Sequence, residues 1–472
     1  MSKNGLNPDS DRTGGGRRRI DSRRDPQRHS PLSLLAVCGS AAFRCAIPIL
    51  AAALWLISSG SASGAGSDNG AGSSPAPTEE ASEYRTPLAG EPLSTTLFGR
   101  NIDIPPRNRD NNFSVVVGST FFTTRLAGDD LLPIGSLYWK HRWDATRVRG
   151  IFSLFVNEFD LSNTTGKLQT LLHFDNNTIP FSDEEVVDGK NVRETSIIRG
   201  TANGRMGLGL RVPVYPYQTD NDFRVQLFWQ GGYLYSNPTS DTGSQVSLPP
   251  DTMVVGPFLR VRYDGLRRNL MELPHRGLAF GLDAELMRRG TWSDANYGGA
   301  VFPGNQTRDY SKLSGYIMAA GGIPGLSERN RLILSCYGGF APSGLLDRFS
   351  AFRIGGGPFP TESDDLYRQV YPGATFNQFP ASQYLVGSAE YRRELLFFMY
   401  LHFRFTYAWV DRVLFTDPAR LSEQDRGRAF SVGLTSGFFW NSQLFVEYSY
   451  DTSILHNGSP GSALLFLWSK EL

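Results

Sequence analysis

From about residue 113 onward, the chain repeats short segments in which apolar and polar residues alternate, each followed by a turn. In one such segment Leu227 and Trp229 share one parity, whereas Gln226 and Gln230 share the other. Successive side chains of a β-strand point to opposite faces, so each segment is apolar on one face and polar on the other. Small, charged and amide residues on the polar face, with aromatic residues at segment ends, favour a membrane barrel with a wet lumen over a soluble sandwich.

The alternation predicts an all-β fold, a transmembrane antiparallel β-barrel of about 16 strands, an even number as bacterial barrels require. Fourteen strands is the alternative, because the fifth segment is the weakest. In lipid every backbone polar group must be paired, so the sheet has to close on itself. A barrel of this size leaves a lumen that water or an inserted loop must fill. The predicted strands cover 113–124, 133–142, 147–159, 167–174, 193–200, 204–215, 222–236, 254–264, 277–288, 312–321, 330–341, 384–394, 400–410, 428–440, 442–451 and 462–471.

Short and long connections alternate between these strands. The stretches 394–400 and 440–442 are short, whereas 175–193, 289–311 and 342–383 are long. This asymmetry is typical of outer-membrane barrels, which have short periplasmic turns and longer outer loops.

The sequence before the barrel reads as an export signal followed by a tail. Residues 1–65 combine an arginine-rich start, an apolar run over 46–57 and small residues, which predicts a signal peptide with a long charged front end. A single anchoring helix is the alternative, but this run is shorter than the roughly 20 residues that span a bilayer. Residues 64–95 are rich in Gly, Ser, Pro and Ala, and 66–112 is predicted to form a flexible linker or periplasmic tail, leaving 113–472 as the barrel.

The amino-acid composition and the motifs of the chain narrow the range of functions that we expect. The chain carries 47 basic and 46 acidic residues, a net charge of +1, so nucleic acid is not an expected partner. Of its three cysteines only Cys336 lies in the predicted barrel, which leaves no disulfide framework or zinc cluster. The sequence lacks a nucleophile elbow, a phosphate-binding loop and a metalloprotease motif. We therefore predict no enzymatic activity and no cofactor or metal, although His141, His173 and His402 near strands leave a barrel-borne hydrolase as a third alternative.

The longest connection has an unusual content. It opens with Gly355 and Gly356 in a Phe-Arg-Ile-Gly-Gly-Gly-Pro run, continues through Tyr-Arg-Gln-Val-Tyr around Arg368, and returns as Gly-Ser-Ala-Glu-Tyr-Arg around Glu390. This resembles the BamA/TamA-like outer-membrane barrel superfamily, also called the bacterial surface antigen family. In that family a Gly-Gly segment precedes a loop that enters the lumen with an arginine at its tip, and the next strand begins with a Glu-Tyr-Arg type sequence.

The resemblance implies a lumen-loop lock formed by Arg368, Glu390, Gly355, Gly356 and Asp411. Glu390 is the expected carboxylate partner of Arg368, because its parity places it on the lumen face; a solvated lumen lining without specific pairs is the alternative. The family has a glycine directly after the loop-tip arginine, where this chain has glutamine.

A second stretch agrees with this resemblance. Tyr263 and Asp264, an Arg-Arg-Asn run, and then Pro274 and Gly277 look like the strand–turn–strand signature of the family. The Val-Asp pair that ends at Asp411 also resembles a family motif, although Arg-Val replaces the expected glycine context. Five strands follow the long loop, as in the sixteen-strand plan of the family. The resemblance is clear over roughly 250–472 and extends to the earlier strands by pattern alone.

By resemblance, the expected function is protein insertion or translocation in the bacterial outer membrane. Such families are thought to open laterally at a seam, here between 113–124 and 462–471, where Gly118 lies. Exposed strand edges then template an incoming strand. The periplasmic repeats of the family have no room in this chain, so we expect a separate periplasmic or membrane partner besides outer-membrane lipid. The main alternative is a passive or substrate-selective pore constricted by the loop.

Overall fold

The computed structural model describes the following residues: 86–89, 93–97, 100–104, 110–126, 129–153, 156–214, 221–356, 366–375, 377–437 and 442–472. Within them the chain forms one four-residue helix and a series of antiparallel strands. The elements are β1 (Leu93–Leu97), β2 (Arg100–Ile104), β3 (Asn112–Leu126), β4 (Asp129–Trp143), β5 (Thr146–Ser153), β6 (Val156–Thr165), β7 (Leu168–Val187), β8 (Lys190–Pro213), β9 (Asp222–Pro238), β10 (Thr252–Asp264), β11 (Arg267–Arg268), β12 (Pro274–Arg289), β13 (Ala295–Asn296), β14 (Val301–Phe302), α1 (Gly304–Thr307), β15 (Asp309–Gly322), β16 (Asn330–Ser343), β17 (Phe352–Ile354), β18 (Phe379–Leu396), β19 (Met399–Val413), β20 (Ser422–Ser436), β21 (Ser442–Asp451) and β22 (Gly461–Glu471).

Sixteen of these strands close into one barrel. The ring runs from β3 through β10, continues with β12, β15, β16 and β18 to β22, and closes where β22 pairs with β3. The short strands β11 and β17 extend the same sheet beside β12 and β18. Closure leaves no unpaired edge along the wall, as lipid requires. The predicted all-β, sixteen-strand antiparallel barrel is confirmed, and so are the five strands after the longest loop.

The barrel surface is inverted relative to that of a soluble protein. On the outside, Leu227 is 59% exposed, Phe403 44% and Val432 45%. On the inside, Thr406 and Thr435 are fully buried although both are polar. Soluble proteins bury large apolar side chains and expose polar ones. An apolar outer wall around a polar lumen is stable only where lipid surrounds the wall, so the alternation in the sequence is that of a membrane barrel.

One predicted strand is in fact two strands and two predicted strands are in fact one, so the total number of strands is unchanged. The predicted strand 147–159 is in fact a tight hairpin of β5 and β6. Ser153 and Asn157 close its turn with side chains: Ser153 Oγ accepts from Val156 N–H at 2.9 Å, and Asn157 Oδ1 accepts from Ser153 N–H at 3.1 Å. The turn contains neither Gly nor Pro, the residues that most often mark a chain reversal, so it could not be predicted from the residue pattern.

The opposite difference occurs in β8. Residues predicted as two strands, 193–200 and 204–215, form one continuous strand that pairs with β7 and β9. Gly200 does not break it; a Cβ there would lie 2.2 Å from the ring of Tyr235, so the glycine makes room for an aromatic neighbour. The predicted outer loop 175–193 is likewise the distal part of the β7–β8 hairpin, which turns at Asp188 and Gly189.

The two ends of the barrel differ in their connections. We call the end where β3 begins and β22 finishes the lower end. At this end the turns between β4 and β5, between β6 and β7, and between β18 and β19 are two residues long. The opposite, upper end carries the long connections after β9, β12, β16, β19 and β21. The β7–β8 hairpin extends furthest along this side, whereas β5 and β6 form the shortest part of the wall. No helix among the described residues is long and apolar enough to cross a membrane.

The predicted seam between the first and last barrel strands is closed. The β3–β22 register runs from Ser114 opposite Glu471 to Phe122 opposite Ala463. Gly118 lies within this register, and a Cβ on it would come within 2.1 Å of the carbonyl oxygen of Phe466. The β5–β6 register is shorter than the seam. The length of the ladder therefore does not make the seam the weakest pairing in the wall.

Candidate functional site: the lumen loop and the two ends of the barrel

The described part of the connection between β16 and β18, residues 344–356, 366–375 and 377–378, folds back on itself inside the barrel. Gly356 N–H donates to Thr375 O at 3.0 Å, and Tyr371 N–H donates to Gly355 O at 2.9 Å. A Cβ on Gly355 would lie 2.4 Å from Asn377 N, and one on Gly356 would lie 2.4 Å from Tyr371 O. Such distances exclude any side chain, so the Gly-Gly pair is what allows the two arms of this lumen loop (344–378) to pack together.

The part of the lumen loop around Arg368 and Tyr371 is attached to two separate parts of the wall. Arg368 donates to Glu158 on β6, and the Tyr371 hydroxyl donates to Asp451 Oδ1 at the end of β21, at 2.5 Å. Between β21 and β6 the shorter path round the barrel contains β22, β3, β4 and β5. The loop therefore spans the lumen behind the β3–β22 seam, with one attachment on each side of it.

The predicted Arg368–Glu390 pair is not formed; Glu158 is the carboxylate that receives Arg368. Both oxygens of Glu390 already have partners on its own strand and on β19. Oε1 accepts from Arg392 of β18 at 2.6 Å and lies 3.0 Å from His402 Nδ1 of β19, and Oε2 accepts from Arg404 of β19 at 2.7 Å. Because side chains of equal parity on β18 and β19 face one another in the lumen, arginines of these two strands already balance the charge of Glu390.

Glu158 was not predicted as a site residue because the β5–β6 turn before it was not predicted. With β6 starting at Val156, Glu158 and Asp160 both face the lumen beside Arg149, which lies 3.4 Å from the first and 2.5 Å from the second. A pair of acidic residues two positions apart, next to a strand with a lumen-facing arginine, was the available signal. His173 extends this network, with its ring nitrogens 2.6 Å from Asp160 and 3.1 Å from Asp175.

Asp411 has a local role in the wall. Its Oδ2 accepts from Ser382 Oγ at 2.7 Å, and its carbonyl oxygen lies 3.1 Å from the same hydroxyl. These contacts fix the register shift of β18 against β19, which falls between Ala381 and Gln383. The structure places Asp411 there and not beside Arg368, whose carboxylate partner is on β6.

A polar cavity of about 370 Å³ lies between the lumen loop and the wall. Among the described residues, six cationic and four anionic side chains line it, so the described lining is net positive before histidine is counted. A polar space of this size holds ordered water rather than an apolar ligand. The charged lining residues are Arg205, Arg260, Arg262, Lys312, Arg353, Arg368, Glu158, Asp175, Asp283 and Glu285.

At the lower end, the strand–turn–strand signature builds a turn with its own polar core. Asp264 Oδ2 accepts from Arg268 Nη2 at 2.8 Å, and Oδ1 accepts from Leu266 N–H at 3.0 Å. Asn221 donates to the carbonyl oxygen of Leu266 at 2.7 Å and to Asp264 Oδ1 at 3.2 Å. Arg268 and Asn221 are buried. The Tyr-Asp and Arg-Arg-Asn motifs therefore shape the β10–β12 turn.

The remaining signature residues fasten this turn to the wall. Tyr263 stacks on Phe280 of β12 with 5.1 Å between ring centroids. The Pro274 carbonyl oxygen accepts from Arg392 Nη1 at 2.9 Å. Gly277 has a φ of 118°, and a Cβ there would lie 2.2 Å from a backbone oxygen of the turn. Only glycine satisfies both conditions at this position.

A short segment from the predicted linker crosses the lower end. We call residues 86–89 the strap. Ala89 N–H donates to Arg268 O at 2.9 Å, and Leu270 N–H donates to Pro87 O at 3.0 Å. The strap therefore adds to the β10–β12 turn by backbone pairing, in the manner of an extra strand. The stretch 66–112, predicted as a flexible linker, thus contributes an ordered segment here and the β1–β2 hairpin further on.

Thr86 anchors the strap to the β18–β19 turn. Its N–H and its hydroxyl both donate to Glu394 Oε1 at 2.7 Å, and the hydroxyl oxygen accepts from Phe398 N–H at 3.0 Å. Thr86 is 1% exposed. Because Asn269 of the β10–β12 turn also donates to Tyr400 Oη at 2.9 Å, two distant turns and the strap form one layer across the lower end.

At the upper end, the tip of the β7–β8 hairpin lies over the mouth. This lid hairpin, residues 183–197, contacts three outer connections. Glu185 Oε1 accepts from Phe415 N–H at 2.9 Å, Arg348 Nη1 donates to Thr195 O at 2.7 Å, and Gly189 N–H donates to a backbone oxygen of the β21–β22 connection at 2.6 Å. Six strands separate β7–β8 from β19–β20 in either direction. The lid hairpin therefore reaches the opposite side of the barrel.

A buried ion pair supports the outer loops beneath the lid hairpin. Asp347 binds Arg289 through both oxygens, at 2.8 and 2.9 Å, and accepts from the Tyr297 hydroxyl at 3.0 Å. Asp347 is fully buried and Arg289 is 1% exposed. Burial raises the pKa of the Asp347 carboxyl, but the Arg289 charge outweighs it with the help of hydrogen bonds and lowers this pKa overall.

One arrangement in the lumen has the order of a nucleophile–base–acid triad. Thr435 Oγ1 lies 2.7 Å from His402 Nε2, and His402 Nδ1 lies 3.0 Å from Glu390. Thr435 is 1% exposed, however, and Glu390 also binds two arginines. This geometry describes a static network within the wall. The described ranges contain no group of three or more His, Cys, Asp or Glu side chains placed to hold a metal.

The fold and the loop define a class: a transmembrane β-barrel of the bacterial outer-membrane type, with a loop held inside its lumen. No protein-family model matches the sequence, and no curated protein matches it either. Among solved structures it is similar to BamA from Haemophilus ducreyi lacking POTRA domains 1–3, with a TM-score of 0.46, 11% identity and coverage of 84% of this chain and 76% of that one.

Two further solved barrels are similar. CdiB from Acinetobacter baumannii has a TM-score of 0.47 and 10% identity, over 82% of this chain and 66% of that one. The Pseudomonas putida toluene transporter TodX has a TM-score of 0.31 and 10% identity, over 77% of this chain and 90% of that one. Similarities this distant say nothing of function, so the class rests on the strand order and the inverted surface described above.

Proposed function

We propose that this chain is an outer-membrane barrel that inserts or translocates proteins, and that its lumen loop controls lateral opening of the β3–β22 seam. The supporting observation is the pair of loop attachments, Arg368 to Glu158 on β6 and Tyr371 to Asp451 on β21. Opening the seam moves β22 and its neighbour β21 away from β3. One of the two attachments must then break, so the loop and the seam are mechanically coupled.

The closed ends of the barrel favour a gated device over a constantly open channel. The lid hairpin covers the upper mouth, and the strap and two turns form a layer across the lower end. Released seam edges would pair with an incoming strand by the same backbone hydrogen bonds that now join β3 to β22. Among the described residues, the strap and the β1–β2 hairpin are the segments that come before residue 110, and we propose that a separate periplasmic partner delivers clients.

A reversible cross-link across the seam tests this proposal. We would place cysteines at Val116 and Ser469, which are register partners on β3 and β22, in a Cys336→Ser background. The proposal expects that the oxidised barrel, reconstituted in proteoliposomes, no longer accelerates the insertion of a urea-unfolded outer-membrane client. Reduction should restore the activity.

The matched control carries the same cross-link at Ser335 and Ser388, which are register partners on β16 and β18 and do not face the seam. This control should stay active when oxidised. Equal activity of the oxidised seam variant and the oxidised control would refute lateral opening.

The second candidate, a substrate-selective pore, is favoured by the charged cavity beside the loop. Planar-bilayer conductance separates the two functions when the wild type is compared with a form in which 366–375 is replaced by a short Gly-Ser linker. A plugged barrel gives a small, flickering wild-type conductance that rises sharply in the shortened form. A large, steady wild-type conductance would support the pore instead.

A further inference from the structure

A cluster of charged side chains lies where the lid hairpin meets the lumen loop. Three arginines converge on one oxygen of Asp183: Arg199 Nε at 2.7 Å, Arg353 Nη2 at 3.4 Å and Arg348 Nε at 3.5 Å. Asp183 and Arg199 belong to the β7–β8 hairpin, whereas Arg348 and Arg353 belong to the lumen loop. The side chains are 14%, 10%, 0% and 11% exposed, respectively, so water reaches little of the cluster.

Each arginine of the cluster keeps a buried donor that nothing accepts. Among the residues the structure describes, Arg199 Nη2, Arg348 Nε and Arg353 Nη1 have no hydrogen-bond acceptor. A guanidinium remains charged at any accessible pH. A buried donor left unpaired costs about 1–3 kcal/mol, and more when it is charged. Three such donors in one place indicate a missing acceptor.

The nearby carboxylates do not balance this charge. Besides Asp183, Glu185 is the acidic group that acts on Arg348, and its Oε1 already accepts from Phe415 N–H. Its Oε2 lacks a hydrogen-bond donor among the described residues. Among the described residues, these three arginines therefore face two carboxylates, and the described part of the cluster has an excess of positive charge.

The cluster is connected to the lumen. Arg353 lines the cavity beside the loop, together with Lys312 and Arg368. A small anion that enters this cavity meets a surface of net positive charge before it reaches the buried donors.

We propose that Arg199, Arg348 and Arg353 bind one small oxyanion of the phosphate class, which bridges the lid hairpin and the lumen loop. Guanidinium groups match phosphate oxygens in geometry and form charge-assisted hydrogen bonds with them. The bound anion supplies the missing acceptors and balances the charge, and it fastens the upper end of the barrel. This inference concerns the upper end and does not depend on seam opening.

Isothermal titration of the refolded full-length barrel in detergent with inorganic phosphate tests the proposal. The expected result is saturable binding at one site, with no matching response to chloride at equal ionic strength. Arg353→Gln should weaken phosphate binding about tenfold or more, the loss of one charge-assisted hydrogen bond. Asp183→Asn removes the competing negative charge and should strengthen binding. Arg420→Gln, at an arginine 58% exposed in another outer connection, should leave binding unchanged.

Weaker phosphate binding by Arg353→Gln together with stronger binding by Asp183→Asn distinguishes a specific anion site from general attraction to a basic lumen. Retained heat-modifiable gel mobility shows that each variant is folded. If Asp183→Asn does not fold, the phosphate affinity of Arg353→Gln still tests the proposal. Equal responses to phosphate and chloride, or unchanged affinity in Arg353→Gln, would overturn the proposal. Glycerol 3-phosphate then separates two sources of the anion. Binding of phosphate alone indicates the free ion, and binding of both indicates the phosphate group of a larger molecule.

Discussion

The upper and lower ends of this barrel are both covered, but by different interactions. Above, the lid hairpin and the outer connections meet through buried charges such as Asp347 with Arg289 and Asp183 with three arginines. Below, the strap is held mainly by backbone hydrogen bonds and by the hydroxyl of Thr86. A buried charge pair is costly to break on one side only, whereas a neutral hydrogen bond contributes about 1 kcal/mol.

This difference indicates how each end opens. The strap can leave by exchanging its backbone hydrogen bonds and the bonds of Thr86 to Glu394 for bonds to water or to another extended chain, without separating an ion pair. The upper end opens only when charges separate or when ions replace them. We therefore expect the lower end to respond to competing peptides and the upper end to respond to charge. The following predictions test this contrast, from the largest expected effect to the smallest.

Asp347→Asn should have the largest effect. The substitution keeps the shape of the side chain but leaves Arg289, which is 1% exposed, without its carboxylate. Breaking such a buried pair on one side costs about 3–5 kcal/mol. The midpoint of unfolding in urea, followed by loss of heat-modifiable gel mobility, measures this cost. Asp417→Asn, at an exposed pair with Arg420, is the control and should change the midpoint little.

Gly277→Ala should come next. The φ of 118° strains any other residue, and the new Cβ would meet a backbone oxygen at 2.2 Å. We expect a loss of about 1–3 kcal/mol from the backbone alone, and more from the overlap. Limited proteolysis should show easier cleavage in the β10–β12 turn. Gly325→Ala, at a φ of 80° with open space around it, separates the two causes, since it suffers the strain without the overlap.

Thr86→Val should release the strap while the barrel stays folded. The substitution keeps the shape but removes the hydroxyl that joins Glu394 to Phe398 N–H, at a cost of about 1–3 kcal/mol. Amide hydrogen exchange of Ala89 and Leu270 should accelerate about tenfold or more. Thr96→Val, at an exposed hydroxyl 2.9 Å from Asn101, is the control. Unchanged exchange in Thr86→Val would show that backbone pairing alone holds the strap.

Mild acid should loosen the upper end by the smallest amount. The pKa of Asp347 is lowered in the folded protein, so its ion pair adds stability above the unfolded carboxyl pKa of about 3.9 and loses it as pH falls toward the folded value. Between pH 5 and pH 3, wild-type unfolding midpoints should therefore fall. Asp347→Asn should show a smaller fall, because it lacks the titrating group. Parallel pH curves for the two proteins would assign the acid sensitivity to other groups.

The barrel wall was predictable from the sequence because its signal is repeated and local. Alternating parity placed Leu227 and Phe403 on the lipid face and Thr406 in the lumen, as the structure has them. Hairpin boundaries were less accurate where turns lack their usual residues. Side chains of Ser153 and Asn157 close the β5–β6 turn, and Gly200 sits in mid-strand beneath Tyr235.

The loop attachments were harder to predict because they join residues far apart in the sequence. The resemblance identified the Gly-Gly pair, whose close backbone contacts the structure explains, but it suggested the wrong partner for Arg368. A charge in the lumen binds whichever opposite charge its neighbours have left unpaired. Glu390 is taken by Arg392 and Arg404, which no motif reveals, and Glu158 becomes the partner. The roles of these residues in locking the loop remain predictions.

The short β5–β6 hairpin has a consequence for the surrounding lipid. β5 has eight residues, which at about 3.3 Å each and a tilt of about 40° give a wall of about 20 Å, against an apolar band of about 25 Å in typical barrels. Hydrophobic mismatch of this kind is relieved by local thinning of the bilayer. We therefore expect the membrane to be thinnest four to five strands away from β21, on the same side of the barrel as Glu158. If the chain inserts proteins as proposed above, a client strand approaching along this side would cross less hydrocarbon than one approaching the taller parts of the wall.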